Sequence, residues 1–436
     1  MTPVEIGAFS VVAIVVMVYL GVYIPIALGV VSFVSIWIMR DNPVIAFNFL
    51  KVAVEKGVTS YSFATIPLFT VMGLLVSKAG LGRDIYIVMN RAFRAVTGGI
   101  GIATVGANAV FAAVTGSSIA SASVFTRIAV PEMRSFSYSK RFAVGVVAGS
   151  SVLGMIIPPS AMLIIYSFVA EVSVGDMFLA GIVPGIILTI AYIAWIIMAG
   201  RIRPSYLGTD IGMTEVAPLS WIEIIDKTVP TVALITIVLG GIYNGWLTPV
   251  EAGAAGALAA LVIAVMRRSI SWRGLWETAI ETGHITASIL FLIAMASLYS
   301  SMLGFAALPN QLNAFLESYN LGFTEVMILY VVLMLFLGTI LDTASIILIV
   351  VPLFIALMES MGMSVIWFGI VTVIGAEIGL LTPPLGISCF VIKATINDPD
   401  ISLKDVFFGA FPFAVIMLLV LILLIAYPQL SIGILN

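Results

Sequence analysis

The chain has 436 residues, 61% hydrophobic and 9% charged, with a net charge of −3. Soluble domains carry about 45–50% apolar and about 25% charged residues. So few charges cannot cover a globule of this length, which excludes a soluble enzyme, a nucleic-acid binder and a disordered chain and points to a polytopic membrane protein. The single Cys389 excludes an intrachain disulfide, and the single His284 leaves no His/Cys cluster for zinc. No Gly-Lys-Ser/Thr phosphate loop, Gly-x-Ser-x-Gly elbow or His-Glu-x-x-His helix occurs, so neither an enzyme nor an organic cofactor is expected.

A spanning helix needs roughly 17–25 apolar residues. In the first half, spans are expected at about 5–20, 23–38, 61–79, 140–170 and 175–200. The first runs into the second without an Ala-x-Ala site and reads as a retained helix, not a signal peptide. Between the third and fourth, residues 98–133 form a Gly/Ala/Ser-rich stretch centred on Thr115-Gly116-Ser117-Ser118, which fits a re-entrant hairpin. Segments 40–58 and 82–97 suit interfacial helices. After a polar linker, 201–218, spans are expected at about 221–241, 247–266, 277–302, 363–396 and 403–430. A second hairpin fits 323–360 and an interfacial helix fits 309–320.

The halves correspond. Ile157-Pro158-Pro159-Ser160 and Thr382-Pro383-Pro384-Leu385 lie 225 residues apart, and the same offset carries Ser117 onto Asp342. The expected fold is an all-α polytopic membrane protein with a two-fold repeat: residues 1–200, the linker 201–218, then 219–436. Five crossings plus a hairpin per half is an odd number, so the second repeat is inverted, with ten spans and two re-entrant hairpins in all.

Charge tests this topology. Arg40, Lys51 and Lys56 fall on the side of the termini, and fifteen other basic residues fall on the opposite side: Lys78, Arg83, Arg91, Arg94, Arg134, Lys140, Arg141, Arg201, Arg203, Lys227, Arg267, Arg268, Arg273, Lys393 and Lys404. The positive-inside rule puts the second side in the cytoplasm and both termini outside.

Two consecutive prolines in mid-span open a helix and free the carbonyls around Gly154–Ile157 and Gly379–Thr382. Bare backbone at membrane depth is tolerated where it lines a cavity or is buried in protein. Such carbonyls suit a hard cation, and a restarted half-helix offers its N-terminus to an anion. The tips, Gly116-Ser117-Ser118 and Asp342-Thr343-Ala344-Ser345, would add oxygens to form a cage suited to sodium. A competing reading is that small residues such as Ser121 and Ser123 only allow close packing. Asp342 resists that reading, because a carboxylate in a span is costly. Arg127 offers positive charge to an anionic substrate, or snorkels or pairs with Glu132. Glu377 anchors the broken helix, responds to a proton, or pairs with a neighbour. His284 reads as a hydrogen-bonded packing residue, Glu251 as an N-terminal helix carboxylate, and Lys393 as a snorkelling lysine.

These motifs resemble the large membrane subunit of tripartite ATP-independent periplasmic (TRAP) transporters: Thr115-Gly116-Ser117-Ser118 with Pro131-Glu132-Met133, Ile156-Ile157-Pro158-Pro159-Ser160, Gly338 with Leu341-Asp342 and Pro352, and Glu377-Ile378-Gly379-Leu380-Leu381-Thr382-Pro383-Pro384-Leu385-Gly386. The resemblance covers essentially the whole chain. It implies sodium-driven uptake of a small organic anion across the bacterial inner membrane, with periplasmic termini, a periplasmic substrate-binding protein and a small four-helix membrane subunit on a separate chain. It also implies an elevator mechanism, a transport domain sliding against a scaffold. Sodium ligands would map onto Gly116, Ser117, Ser118, Gly154 and Ile157, and onto Gly338, Asp342, Thr343, Gly379 and Thr382. Substrate would lie between the tips, near Ser118, Ser121, Arg127, Pro159, Ser160, Thr343, Ser345 and Pro384. Arg127 departs from the family pattern, in which this position is small or apolar. The rival functions are a stand-alone ion-coupled anion carrier without a binding protein and a passive channel or exporter. A proton-translocating respiratory subunit would need chains of intramembrane Lys and Glu that this sequence lacks.

Overall fold

A computed structural model of the chain describes residues 1–207, 219–319, 321–384, 386–396 and 398–435. Most of the expected linker, 208–218, lies outside the described residues, as does Leu385 of the second Pro-Pro motif. Every regular element among the described residues is helical, the form in which a chain in lipid satisfies its own backbone. Six helices are long and apolar enough to cross a bilayer by length and composition: Tyr61–Lys78, Val174–Ile202, Pro249–Met266, Trp272–Phe305, Thr343–Ser360 and Leu403–Ala426. Lys140–Ile156 and Ala161–Val169 add a further candidate, bent by 43° at the break between them.

The other expected spans are shorter or interrupted. Pro3–Tyr19 and Ile24–Arg40 have 17 residues each, the short end of what reaches across a bilayer. Trp221–Ile235 continues through a π-helical turn, Thr236–Gly240, into Gly241–Tyr243. The helix over the expected span 277–302 is longer than that apolar stretch and runs Trp272–Phe305, because Ser271 caps its start: Gly274 N donates to Ser271 Oγ at 3.1 Å. The last span ends at Ala426 rather than 430, since the residue before Pro428 is pushed out of the helical region. Gln429–Ile432 is a separate turn. The expected interfacial helices are Pro43–Thr59, Leu81–Phe93 and Leu308–Ser318.

Elements recur at matched positions in the two halves. Helices start at Gly99 and Phe323, Ser118 and Thr343, Lys140 and Val365, and Ala161 and Ile387, 224 to 226 residues apart. Their internal bonds recur too. Asn108 Nδ2 donates to Ser150 Oγ at 2.6 Å, and the hydroxyls of Tyr330 and Thr372 share a hydrogen bond of 2.7 Å. Each bond joins the first helix of a tip-bearing pair to the first helix of a Pro-Pro-broken pair. The halves then exchange partners: Ala161–Val169 packs on Thr343–Ser360, and Ile387–Thr395 packs on Ser118–Ser135. The core lies where these elements meet. Val365–Gly379 is buried without interruption from Trp367 to Gly379, whereas Pro3–Tyr19 buries only a stripe at Ile6, Gly7, Ser10 and Ile14.

Basic side chains from the expected cytoplasmic set tie helix ends together. Lys227 and Arg267 both pair with Asp84, the former at 3.2 Å. Lys140 and Arg141 pair with Asp405 at 3.1 and 2.9 Å. Lys78 Nζ donates to the Gly274 carbonyl at 3.1 Å, and Lys393 Nζ donates to that of Ile401, in the loop after its helix, at 2.6 Å. Glu251 is the N-terminal helix carboxylate it was read as, accepting at 2.8 Å from both Thr248 N and Thr248 Oγ1. His284, read as a packing residue, is instead exposed, in the first half of the helix Trp272–Phe305.

Candidate functional site

The first tip is built by two neighbouring residues with different backbone needs. Helix Gly99–Thr115 ends at Gly116, which takes a left-handed φ of +60°, a conformation glycine adopts without steric cost. Ser117 is extended and caps Ser118–Ser135, its Oγ accepting from Ala120 N at 3.3 Å. The tip lies on the first break. A Cβ on Gly116 would collide with the Pro159 carbonyl, and one on Gly154 would sit 2.8 Å from the Ser117 carbonyl carbon. Ala161 N donates to the Gly116 carbonyl at 3.4 Å.

The break follows from proline chemistry. Ile157 is extended (φ −75°, ψ 122°), as the residue before a proline is driven to be. The Pro158–Pro159 peptide is cis, and so is Pro383–Pro384. Ser160 caps the restarted helix, accepting from Leu163 N at 3.4 Å while its hydroxyl donates to the Met155 carbonyl at 2.6 Å. The hydroxyls of Ser118 and Ser121 are fully buried and have no hydrogen-bond partner among the described residues. Buried polar groups are almost always bonded, so these oxygens have capacity left for a ligand.

The second tip uses a carboxylate where the first uses a hydroxyl. Asp342 caps Thr343–Ser360, accepting from Ser345 N at 3.4 Å and also from the Ser345 hydroxyl. Thr343 Oγ1 donates to Glu377 Oε1 at 2.7 Å. Glu377 is fully buried, and its Oε2 has no partner among the described residues. Gly338 and Gly379 touch through their backbones: a Cβ on Gly338 would lie 2.8 Å from Gly379 Cα. Thr382 donates to the Gly379 carbonyl from both N (3.0 Å) and Oγ1 (2.9 Å). The two breaks differ in one respect: Pro158 and Pro159 are buried, and Pro383 and Pro384 are exposed.

Each tip therefore meets its own break. Gly116, Ser117, Ser118, Ser121, Gly154, Ile157, Pro159 and Ser160 belong to one cluster; Gly338, Asp342, Thr343, Ser345, Gly379 and Thr382 belong to the other, with Pro384 at an exposed edge. Leu153–Ile156, which carries Gly154 of the first cluster, packs on Val365–Gly379, which carries Gly379 of the second. Arg127 stands apart. Nine residues along its helix from Ser118, roughly 13 Å by helical rise, it is exposed and has no ion-pair partner among the described residues. Its expected partner Glu132 accepts from Asn90 Nδ2 instead. Glu377, which the sequence offers as an anchor of the broken helix, a proton responder or a paired carboxylate, bonds a tip residue directly. One feature escapes the sequence reading: Ser388, just inside the restarted second helix, is a further buried hydroxyl without a partner among the described residues; its place shortly after a Pro-Pro break is the available signal. The ensemble offers hydroxyls, carbonyls and carboxylates, with no cluster of three or more His, Cys, Asp or Glu among the described residues. Such a set suits a hard monovalent cation better than a transition metal.

A family model described as "Tripartite ATP-independent periplasmic transporter, DctM component" matches residues 11–430. The chain is 30% identical over 377 residues to the C4-dicarboxylate TRAP transporter large permease protein DctM of Pseudomonas aeruginosa, covering 86% of each chain. It is 26% identical to the sialic acid TRAP transporter large permease protein SiaM of Vibrio cholerae, covering 88% of each, and 29% identical to the 2,3-diketo-L-gulonate large permease protein YiaN of Escherichia coli, covering 86% and 87%. The crystal structure of the YdaH transporter of Alcanivorax borkumensis matches with a TM-score of 0.60 at 13% identity, covering 89% of each chain. The MtrF structure of Neisseria gonorrhoeae matches with a TM-score of 0.59 at 14% identity, covering 87% and 84%. At these identities the two structures speak to the fold alone.

Proposed function

The chain belongs to the family of DctM components of tripartite ATP-independent periplasmic transporters, and we propose that it is a sodium-coupled large permease subunit importing a small organic anion. The observation that carries this reading is the set of buried oxygens without partners among the described residues at the first tip, Ser118 Oγ and Ser121 Oγ, and facing the second, Glu377 Oε2. Sodium ions would take the first cluster (Gly116, Ser117, Ser118, Gly154, Ile157) and the second (Gly338, Asp342, Thr343, Gly379, Thr382), with Glu377 as an added ligand or counter-charge. The substrate would lie between the tips, a carboxylate or related acid of the kind named for the curated relatives.

Charge balance supports the coupling. A buried, unneutralised carboxylate in a span is expensive, and an anionic substrate beside Glu377 and Asp342 adds to that cost. Sodium bound alongside lets the loaded unit cross the bilayer nearly neutral. The moving unit would be the two tip-bearing pairs with the two broken pairs, sliding as an elevator against the remaining helices. In this reading the halves are inverted repeats with ten spans, both termini are periplasmic in the bacterial inner membrane, and a separate small membrane subunit and a periplasmic binding protein complete the machine.

The test is uptake in proteoliposomes holding this chain with the small subunit, supplied with the binding protein encoded beside it and its ligand. Uptake driven by an inward sodium gradient and abolished by potassium replacement is expected. Flux indifferent to sodium would favour a passive channel, and full uptake without the binding protein would favour a stand-alone carrier; either outcome defeats the proposal.

A further inference from the structure

Away from both tips, a cavity of about 260 Å³ opens at the C-terminal end of Val174–Ile202, against the starts of Lys140–Ser151 and Leu403–Ala426. It has two chemically distinct parts. The floor is apolar and aromatic, with Phe142, Trp195 and Phe413, and Phe408 stands exposed at the edge. The rim carries two guanidinium groups, Arg141 and Arg203, and among the described residues no carboxylate belongs to the lining.

Both guanidiniums are held by rings. Arg203 lies 5.7 Å from the centroid of Tyr206 and donates to its hydroxyl at 3.3 Å. Tyr206 in turn stacks on Phe142, with centroids 6.4 Å apart and planes 27° apart. Arg141 lies 5.3 Å from the Phe408 centroid, with one edge engaged by Asp405 at 2.9 Å. Lys404 Nζ, 5.7 Å from the same ring, adds positive charge nearby. A guanidinium fixed on an aromatic face keeps free N–H groups in a planar fork that matches phosphate oxygens.

A free inorganic anion has no use for the aromatic floor, and a purely apolar ligand has no use for two arginines. An amphiphile satisfies both parts, and the cavity sits at the end of a membrane helix, where such molecules are abundant. Basic pockets between membrane helices recognise anionic lipid head groups in this way. We infer that this cavity binds an anionic phospholipid, its phosphate between Arg141 and Arg203 and an acyl chain along Trp195 and Phe408. The site lies in the cytoplasmic leaflet if the topology proposed above is correct, but lipid binding itself does not depend on that topology.

Native mass spectrometry of the purified chain in mixed phosphatidylglycerol and phosphatidylcholine tests the inference. Selective retention of phosphatidylglycerol is expected, and Arg203→Gln should weaken it about five-fold, the worth of one basic contact near a membrane surface. Arg203→Lys, which keeps the charge and loses the planar fork, should fall between the native chain and Arg203→Gln, and this partial recovery guards against misfolding of the Gln variant. Arg273→Gln, on an exposed residue whose one ion-pair partner among the described residues is Glu277, should change nothing. Equal retention of the two lipids, an unchanged preference in Arg203→Gln, or displacement of the lipid by millimolar inorganic phosphate would each overturn the assignment.

Discussion

Thr343 Oγ1 donates to Glu377 Oε1 across 2.7 Å and joins the second tip to the helix that Pro383 and Pro384 break. Both residues are buried, so the bond fixes the tip against that helix while leaving Glu377 Oε2 open. Glu377→Gln keeps an acceptor for Thr343 and removes the charge. We expect it to fold with little change in melting temperature in potassium, and to lose most of the extra stability that sodium gives the native chain. Glu377→Ala, which orphans the Thr343 hydroxyl, should cost about 1–3 kcal/mol in either salt. Thermal unfolding in matched sodium and potassium chloride reads both effects, and a full sodium response in the Gln variant would remove Glu377 from the site.

Two serines near the first break separate ligand binding from capping. Ser118 Oγ has no partner among the described residues, so Ser118→Ala should be close to neutral without sodium. With sodium it should forfeit the stabilisation that a bound ion confers on the folded state by mass action. Ser160 caps Ala161–Val169, so Ser160→Ala should cost about 1 kcal/mol in any salt. Sodium titrations followed by melting temperature distinguish them. If Ser118→Ala responds to sodium like the native chain, its hydroxyl is a packing residue.

Much of this arrangement was legible because its causes are local. Proline lacks an N–H and restricts its predecessor, so the breaks at Ile157 and Thr382 follow from the Pro-Pro pairs alone. Gly116 beside Ser117 announces a turn followed by a cap. The 225-residue offset then predicted that each tip would face its own break, as the contacts of Gly116 with Pro159 and of Gly338 with Gly379 bear out. What could not be read depends on tertiary placement. Nothing local distinguishes Glu377 pointing at Thr343 from Glu377 pointing elsewhere in its helix. Nothing local says that Glu132 meets Asn90 rather than Arg127, since that contact joins two different helices. The exchange of restarted helices between the halves is likewise long-range. The length of Trp272–Phe305 was missed because polar helix lies outside the apolar window that marked the span.

Gly379 and Gly338 bring two helices into backbone contact beside the second tip. A methyl at position 379 would collide with the backbone of Gly338, which a side-chain rotation cannot relieve. Gly379→Ala should therefore destabilise by about 1–3 kcal/mol, typical of overpacking. Gly283 provides the contrast: it is helical, with nothing within 4 Å of where a Cβ would sit. Gly283→Ala should be neutral or stabilising by about 0.5–1 kcal/mol, since glycine is a poor helix residue. Comparable melting temperatures for the two variants would show that the Gly338–Gly379 contact is loose.

The proposed sidedness makes a sharp prediction across one helix. Pro249–Met266 has 18 residues, about 27 Å at helical rise, and its flanks should lie on opposite sides of the membrane. Asn244 precedes it and Arg273 follows it, and both are exposed. In a Cys389→Ala background, Asn244→Cys should react with a membrane-impermeant maleimide in spheroplasts, and Arg273→Cys should react only after permeabilisation. Equal labelling of both variants in denaturant controls for expression. The fifteen basic residues assigned to the cytoplasm require this order, because Arg267, Arg268 and Arg273 all follow the helix and none lies between Asn244 and its start. Labelling of Arg273→Cys in intact spheroplasts would invert the topology and, with it, the direction in which the two tips must carry their load.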